Sequence, residues 1–432
     1  MINKNHFKYL PVLFLFLFIN ISVKSQIRIS SPYSYYGLGE LQLNHSVYNE
    51  SMGGIKNAVR NPAFINVGNP ASYSSFDTNS FVFDLGVTSN STQLKSSLVT
   101  QNYTNHTTLS YLLFGFPVAR WCGLSLGILP YSRTGYKVVT SDTVGNMTGS
   151  NNTLTENFEG TGGVNQAYIG SGFRLFKNFS IGVNVGYLFG TTTKNRSVYT
   201  PDVPYSFDIR AINDLSISSF YLNYGLQYQF PVKKKFTTIV GAKFSLPMNL
   251  HATRSQMIER FTASGDVESV KDTLVNIADE TGKIYMPLSI GGGISFAKKN
   301  SWMFGVDFDW QNWKKFKSFN TIDSIGNSFN FAAGGEIIPH YSASLKYWKK
   351  MSYRFGFHYG RTYLDLNGSN INDFSVSVGL GFPINKLGTM ISLSAEAGRK
   401  GNTQPGLIQE NYVKFTLGFS FREFWFYRPK LN

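Results

Sequence analysis

From about residue 80 onward the chain alternates between apolar and small polar residues at every second position. Residues 374–382 set Phe374, Val376, Val378, Leu380 and Phe382 against Ser375, Ser377, Gly379 and Gly381. Residues 180–190 oppose Ile181, Val183, Val185, Tyr187 and Phe189 to Ser180, Gly182, Asn184, Gly186 and Gly190, with Leu188 the exception. Residues 220–230 oppose Phe220, Leu222, Tyr224, Leu226, Tyr228 and Phe230 to Asn223, Gly225, Gln227 and Gln229, and only Tyr221 blurs the contrast. Period two over such lengths predicts β-strands. The second face is Gly, Ser, Asn and Gln, not the Lys, Glu and Thr of a solvated face. It suits a barrel lumen with something packed inside.

The pattern predicts strands near 80–90, 106–119, 122–139, 163–176, 179–194, 216–232, 236–253, 283–298, 301–311, 338–349, 352–364, 372–384, 389–399 and 411–422. These make an all-β fold of about fourteen antiparallel transmembrane strands, an even number as in single-chain bacterial barrels. Connections alternate in length. Short ones fall at 120–122, Lys177-Asn178, Lys233-Lys234-Lys235, Lys298-Lys299-Asn300, Lys349-Lys350-Met351 and Asn385-Lys386-Leu387-Gly388, each carrying Lys or Arg. Mostly long, polar ones fall at 91–105, 140–162, 195–215, 254–282, 312–337, 365–371 and 400–410. Short turns are expected in the periplasm and long loops outside the cell. PheGlyPhePro at 114–117, PhePro at 230–231 and GlyPhePro at 381–383 end strands just before short turns, where a missing N–H matters little.

Composition agrees. Of 432 residues only 15% are charged, against about a quarter in soluble domains, and 16% are aromatic. Mean hydropathy is −0.14, which argues against spanning helices, but an alternating strand hides its apolar face in the average. Residues 1–25 read as a secretory signal: Lys4 and Lys8, an apolar core from Leu10 to Ile21, and cleavage after Ser25. No Cys follows the cut, so no lipoprotein anchor is expected, and the lone Cys122 excludes an internal disulfide and a cysteine metal cluster. Net charge is +15, or +12 without Lys4, Lys8 and Lys24. Its concentration at the short turns favours a membrane edge over nucleic acid. The expected partners are outer-membrane lipid and lipopolysaccharide. The expected location is the outer membrane, with both termini periplasmic, and no cofactor is expected.

Residues 26–79 differ from the barrel at 80–432. They hold Gly37-Leu38-Gly39, Gly53-Gly54 and two AsnProAla copies, Asn61-Pro62-Ala63 and Asn69-Pro70-Ala71, but no strand of membrane length. Met52, Ile55, Val59, Phe64, Ile65 and Val67 are too apolar for a solvated tail. The segment is expected to sit in the lumen as a plug, or hatch; the alternative is a periplasmic tail.

With Gly68-Asn69-Pro70-Ala71, then Phe76-Asp77 and a strand from Ser80, the chain resembles the FadL/TodX-type outer-membrane transport proteins. SerProTyrSer-x-TyrGlyLeuGly at 31–39 and SerMetGlyGly at 51–54 look like Bacteroidetes members of that group. The resemblance implies fourteen strands, an N-terminal hatch and passive uptake of hydrophobic, fatty-acid-like molecules with a lateral exit. It also admits the alternative, a non-transporting accessory barrel that binds proteins of a secretion or assembly complex. By motif it rests on the hatch alone, and the chain runs on past GlyPheSerPheArgGluPheTrpPhe (418–426) without a terminal aromatic. Uptake requires a continuous apolar pocket between plug and wall; the alternative requires a sealed lumen and large ordered loops.

Enzyme chemistry has little support. Gly123-Leu124-Ser125-Leu126-Gly127 matches a nucleophile string, but inside an alternating strand and not at the strand–turn–helix elbow that chemistry needs. His6, His45, His106, His251, His340 and His358 are scattered without zinc-ligand spacing. His358 falls on a polar face and is expected to bond to the plug. Asp307 and Asp309 share a face of one strand and read as plug contacts, with Arg174, Arg354 and Glu396 as further members of a lumenal charge network. Pro130 lies within a predicted strand, where a missing N–H breaks pairing or forces a bulge, and is the candidate lateral gate. Pro247 is a second gate candidate, but it lies nearer the outer end of its strand and is read as marking the rim. N-terminal analysis of the mature protein is expected to begin at Gln26; a mature chain that keeps 10–21 would contradict export to the outer membrane.

Overall fold

The computed structural model describes residues 31–424 except 43–44, 98–99, 101–102, 146–150, 201–205, 234, 265–266, 320–324, 340–345, 367 and 386–387. The signal segment, the Gln26 start, His6, His340 and the tail from 425 lie outside the described residues.

The fold is a closed fourteen-stranded antiparallel β-barrel. Its segments are β1 (Glu40–Leu41), β2 (Ser80–Lys95), β3 (Thr104–Ala119), β4 (Cys122–Arg133), β5 (Tyr136–Gly145), β6 (Asn151–Arg174), β7 (Phe179–Tyr199), β8 (Asp208–Lys233), β9 (Phe236–Ser245), β10 (Met248–Ser264), β11 (Val267–Met286), β12 (Ser289–Lys298), β13 (Trp302–Gln311), β14 (Lys317–Ser318), β15 (Ser328–Ile337), β16 (Ser352–Leu366), β17 (Ser369–Pro383), β18 (Met390–Lys400) and β19 (Gln409–Phe424). Three barrel strands are interrupted, as β4–β5, β9–β10 and β11–β12, and the two-residue β1 and β14 lie outside the fourteen. The last strand pairs with the first from Gln409↔Lys95 to Phe424↔Ser80, which removes both edges.

Alternation decides which way each side chain points. Phe374, Val376, Val378 and Leu380 are 36–55% exposed on the outer face, whereas Ser375 and Ser377 are 2% exposed. The two exceptions in the sequence pattern have a common cause. Leu188 is fully buried, and Tyr221 packs against the same apolar cluster. That cluster fills one end of the interior with Val164, Ile217, Leu250, Ile284 and Met286 from the wall. Tyr33 and Leu38 join it from the N-terminal segment, and Trp313 and Phe316 from the connection after β13.

Several expected loops are strand. The segments 140–162, 195–215 and 254–282 are largely continuations of β5–β6, β7–β8 and β10–β11 into long hairpins. β6 and β8 have 24 and 26 residues, whereas β12, β13 and β15 have 10, close to the length a tilted strand needs to cross a membrane. Pro247 lies in the break between β9 and β10, and Pro287 marks the matching break between β11 and β12.

The tenth strand is a correction. It is Ser328–Ile337, paired with β13 and β16, and not 338–349, of which Tyr347–Lys349 forms a 3-10 turn. The run AlaAlaGlyGly at 332–335 lacks apolar contrast, so its alternation was masked. The connection that follows, 338–351, is long although it lies at the end of the barrel with the short turns, so connection lengths do not alternate strictly.

Candidate functional site

The N-terminal segment is held against the inner face of the wall. It has a short helix at Val47–Glu50, turns through left-handed Gly53 (φ 71°) and Gly54 (φ 84°), and forms a 3-10 turn at Pro70–Ser75. Met52, Ile55, Val59, Phe64, Ile65 and Val67 are at most 5% exposed. They form two clusters, one with Tyr111, Leu113 and Tyr168 and one with Met303 and Ala332 of the wall.

Polar wall residues take up the segment's backbone and charges. Asp307 accepts from the Lys56 N–H at 2.6 Å and the Asn57 N–H at 2.7 Å. Asp309 accepts from Asn57 Nδ2 at 3.0 Å and lies 3.5 Å from Lys56 Nζ and 3.2 Å from Lys243 Nζ. Lys243 and Asp309 both pair with Gly291, which has no side chain between them. Ser295 donates to Ala58 O at 2.7 Å, Gln227 Nε2 to Asn57 O at 3.1 Å, and Arg174 Nη2 to Ser74 O at 2.8 Å. The close approach explains the small wall residues: a Cβ on Gly182 would overlap the backbone of Pro70 and Ala71, and one on Gly356 the backbone of Met52 and Gly53.

The two AsnProAla copies have local jobs. Asn69 caps the 3-10 turn by accepting from the Ala71 N–H at 3.2 Å, and its Nδ2 donates to Asn57 O at 2.7 Å. Pro70 starts the turn, and Pro70 and Ala71 are buried. Asn61 accepts from the Ala63 N–H at 3.0 Å across Pro62, and its Nδ2 donates to the Tyr48 hydroxyl at 3.3 Å.

The expected charge network divides into separate groups. Arg354 pairs with Glu336, its direct cross-strand neighbour, at 2.9 Å and covers the rings of Tyr48 and Phe64. Glu396 faces its cross-strand neighbour Lys414 at 3.6 Å. Lys400 bridges Glu40 at 2.6 Å and Glu410 at 2.9 Å, and Ser31 donates to Glu410. His358 corrects the expectation made for it: its ring meets Asn330 of β15 at 3.4 Å, a wall residue and not the N-terminal segment. Sequence reasoning missed Lys243, Glu336, Lys400 and Glu410, whose partners emerge only from strand register. On the short helix, burial first and then nearby Glu396 push the Glu50 carboxyl up to about 7.

Near Pro130 the wall parts on one side. The β3–β4 ladder ends at Leu112↔Ile128, while β4 continues along β6 with a register shift between Pro130 and Ser132. Inside the seam, β1 pairs with Arg133 and Ser132. Arg133 Nη2 reaches across to Leu109 O at 3.2 Å. A cavity of about 160 Å³ beside Pro130 is lined by Glu40, Glu50, His106, Arg133, Glu396 and Lys414, among others. A second, of about 230 Å³, is lined by aromatic side chains together with Lys56, Lys243, Asp309, Asp373, His358 and Lys400.

Ser125 of the Gly-x-Ser-x-Gly string is fully buried. It donates to Phe114 O and shares a 2.8 Å hydrogen bond with the Tyr168 hydroxyl. Leu126 and Ile128 lie on the outer face at 39% and 49% exposure. Among the described residues no group of three His, Cys, Asp or Glu is placed to hold a metal ion.

A family model described as BamG matches residues 1–432. The chain belongs to the BamG family. Solved structures share the barrel of this BamG-family chain at low identity. The Ralstonia pickettii toluene transporter TbuX matches with TM-score 0.56 and 15% identity over 88% of this chain and 99% of its own. The Pseudomonas putida toluene transporter TodX matches with TM-score 0.56 and 14% identity over 90% and 100%. A Pseudomonas aeruginosa FadL homologue matches with TM-score 0.53 and 10% identity over 89% and 99%. No curated protein matches the chain by sequence. The fold is thus that of a FadL-like outer-membrane barrel.

Substitutions at two positions test the site. Asp307→Ala leaves the Lys56 and Asn57 N–H groups without their acceptor, at about 1–3 kcal/mol for each buried donor. Asp307→Asn keeps an acceptor oxygen. Thermal unfolding in detergent is expected to fall clearly for Ala and less for Asn; equal melting of all three proteins would contradict the docking contact. Because burial raises the folded carboxyl of Glu50 above its ordinary value of 4.5, its ionisation weakens the fold as pH rises from there through about 7. Glu50→Gln is expected to raise stability at pH 8.5 relative to wild type more than at pH 5, and a pH-independent difference would contradict this.

Proposed function

We propose that this protein is a non-transporting outer-membrane barrel that binds partner proteins of an outer-membrane complex, with residues 31–76 as a plug that stays in place. The observation that carries this reading is the interior. Leu188, Ile217, Leu250 and Ile284, the inward apolar side chains that would line a route for a hydrophobic molecule, are at most 3% exposed and packed on one another. Both cavities beside the plug carry several charged side chains, a poor path for apolar cargo because such a molecule gains nothing on leaving water for them. The ordered hairpins supply the surface. We assign them to the cell exterior and the short basic turns to the periplasmic headgroups.

Passive uptake of a hydrophobic small molecule is the second reading. The fold shared with TodX and TbuX and the seam beside Pro130 favour it, with Pro130 at a lateral gate. One pair of measurements separates the two. In the first reading the protein leaves native membranes in mild detergent with a stoichiometric protein partner, and cells lacking it accumulate a fluorescent fatty acid at the wild-type rate. Purification as a lone barrel, with uptake that falls on deletion and again in Pro130→Val, would replace the first reading by the second.

A further inference from the structure

The hairpins beyond the barrel form one continuous sheet in the order β5–β6–β7–β8–β10–β11. Unlike the barrel, this sheet has two edges, and they are built differently. The β11 edge is irregular. Its pairing with β10 shifts register at three places between Arg254 and Phe261, and Asp279 takes a left-handed φ of 52°. It also carries Glu268, Lys271, Asp272, Asp279 and Glu280. Bulges and charges are the devices by which edge strands avoid pairing with other chains.

The β5 edge has no bulge and carries fewer charges. Tyr136 to Gly145 pair one to one with Gly160 to Asn151 of β6 without a shift. Only Lys137 and Asp142 are charged among the ten, and Val138, Val139, Thr140, Thr143 and Val144 are β-branched. Lys137 and residues 139–142 are exposed, Val139 to 57%. Among the described residues the strand paired with β5 is β6, and the 3-10 turn Pro32–Tyr35 covers the start of the strand at Tyr136, so from Lys137 onward every second residue turns both its N–H and its C=O to the free side. The same edge already accepts an extended chain one step earlier. On the side of β4 away from β6, β1 pairs Glu40 with Arg133 and Leu41 with Ser132, and the Gln42 N–H donates to Tyr131 O at 2.9 Å.

We propose that the free edge of β5, residues 137–145, is the docking site for an extended segment of a partner protein, which adds a strand to the exterior sheet. This rests on the partner-binding reading above and names its surface. Main-chain hydrogen bonds supply the affinity in such pairing, and alternate side chains the selectivity. With one charge of each sign along the edge, the partner segment needs β-propensity, not net charge.

The test is hydrogen–deuterium exchange, comparing the protein purified alone with the same full chain in its natively purified complex. Amides within 137–145 are expected to exchange at least about tenfold more slowly in the complex, while those of 267–283 stay unchanged. Single prolines at Val139 and Thr140, one of which removes a free-side N–H, should include one that keeps the barrel folded and loosens the complex about tenfold or more. A stoichiometric complex without protection at 137–145 would overturn the docking site and leave the partner-binding reading standing. Protection produced by a second copy of this chain would overturn the assignment to a different protein. Absence of any complex would overturn both.

Discussion

Burying a polypeptide inside a barrel requires that its peptide groups find partners there, because an unpaired N–H or C=O away from water costs as much as a lost hydrogen bond. The Asp307 carboxylate, which takes two successive backbone N–H groups at Lys56 and Asn57, is the clearest instance. Much of the rest follows from the same requirement. Ser295, Gln227, Arg174 and Asn69 complete the pairing from other directions. Glycine at 182 and 356 lets backbone meet backbone, a separation that a methyl group would forbid. A wall built to hold a chain in this way must be small and polar inside and apolar outside, and that is the alternation seen along the strands.

That requirement also explains how much could be read from the sequence. The barrel and its closure were legible because lipid tolerates only apolar side chains at every second position. The apolar character of Met52, Ile55 and Phe64 in the sequence matches their burial beside Met303 and Ala332 of the wall. The pairing of charges was not legible, because it depends on register. Lys243 and Asp309 meet only because Gly291 stands between them in one row, and Glu336 meets Arg354 only because β15 begins at Ser328. The tenth strand is hard to place from sequence because glycine and alanine flatten its pattern, and the hairpins read as loops because exposed polar strands and loops share a composition. Leu188 and Tyr221 are instructive in another way. As breaks in an otherwise regular pattern they marked the apolar core that closes one end of the interior.

Sharing the fold of TbuX and TodX does not settle what the interior does, since function resides in the site and not in the barrel. Here the seam beside Pro130 is lined by charged side chains, crossed by Arg133 and filled in part by β1. Leu188, Ile217, Leu250 and Ile284 pack on one another, and where Tyr33, Tyr131, Tyr221 and Tyr363 of the same cluster border the larger cavity, Lys56, Lys243, Asp309 and Lys400 line it with them. Among the described residues, the unpaired edge of β5 lies outside the barrel, on the hairpins.

Whether the N-terminal segment closes the interior, as proposed, is decided by conduction. Electrical recording of the unmutated protein in planar lipid bilayers tests it most directly. A closed interior gives insertion without discrete pore openings across the voltage range the bilayer tolerates. Stable, ohmic open-pore currents from the intact chain would contradict it.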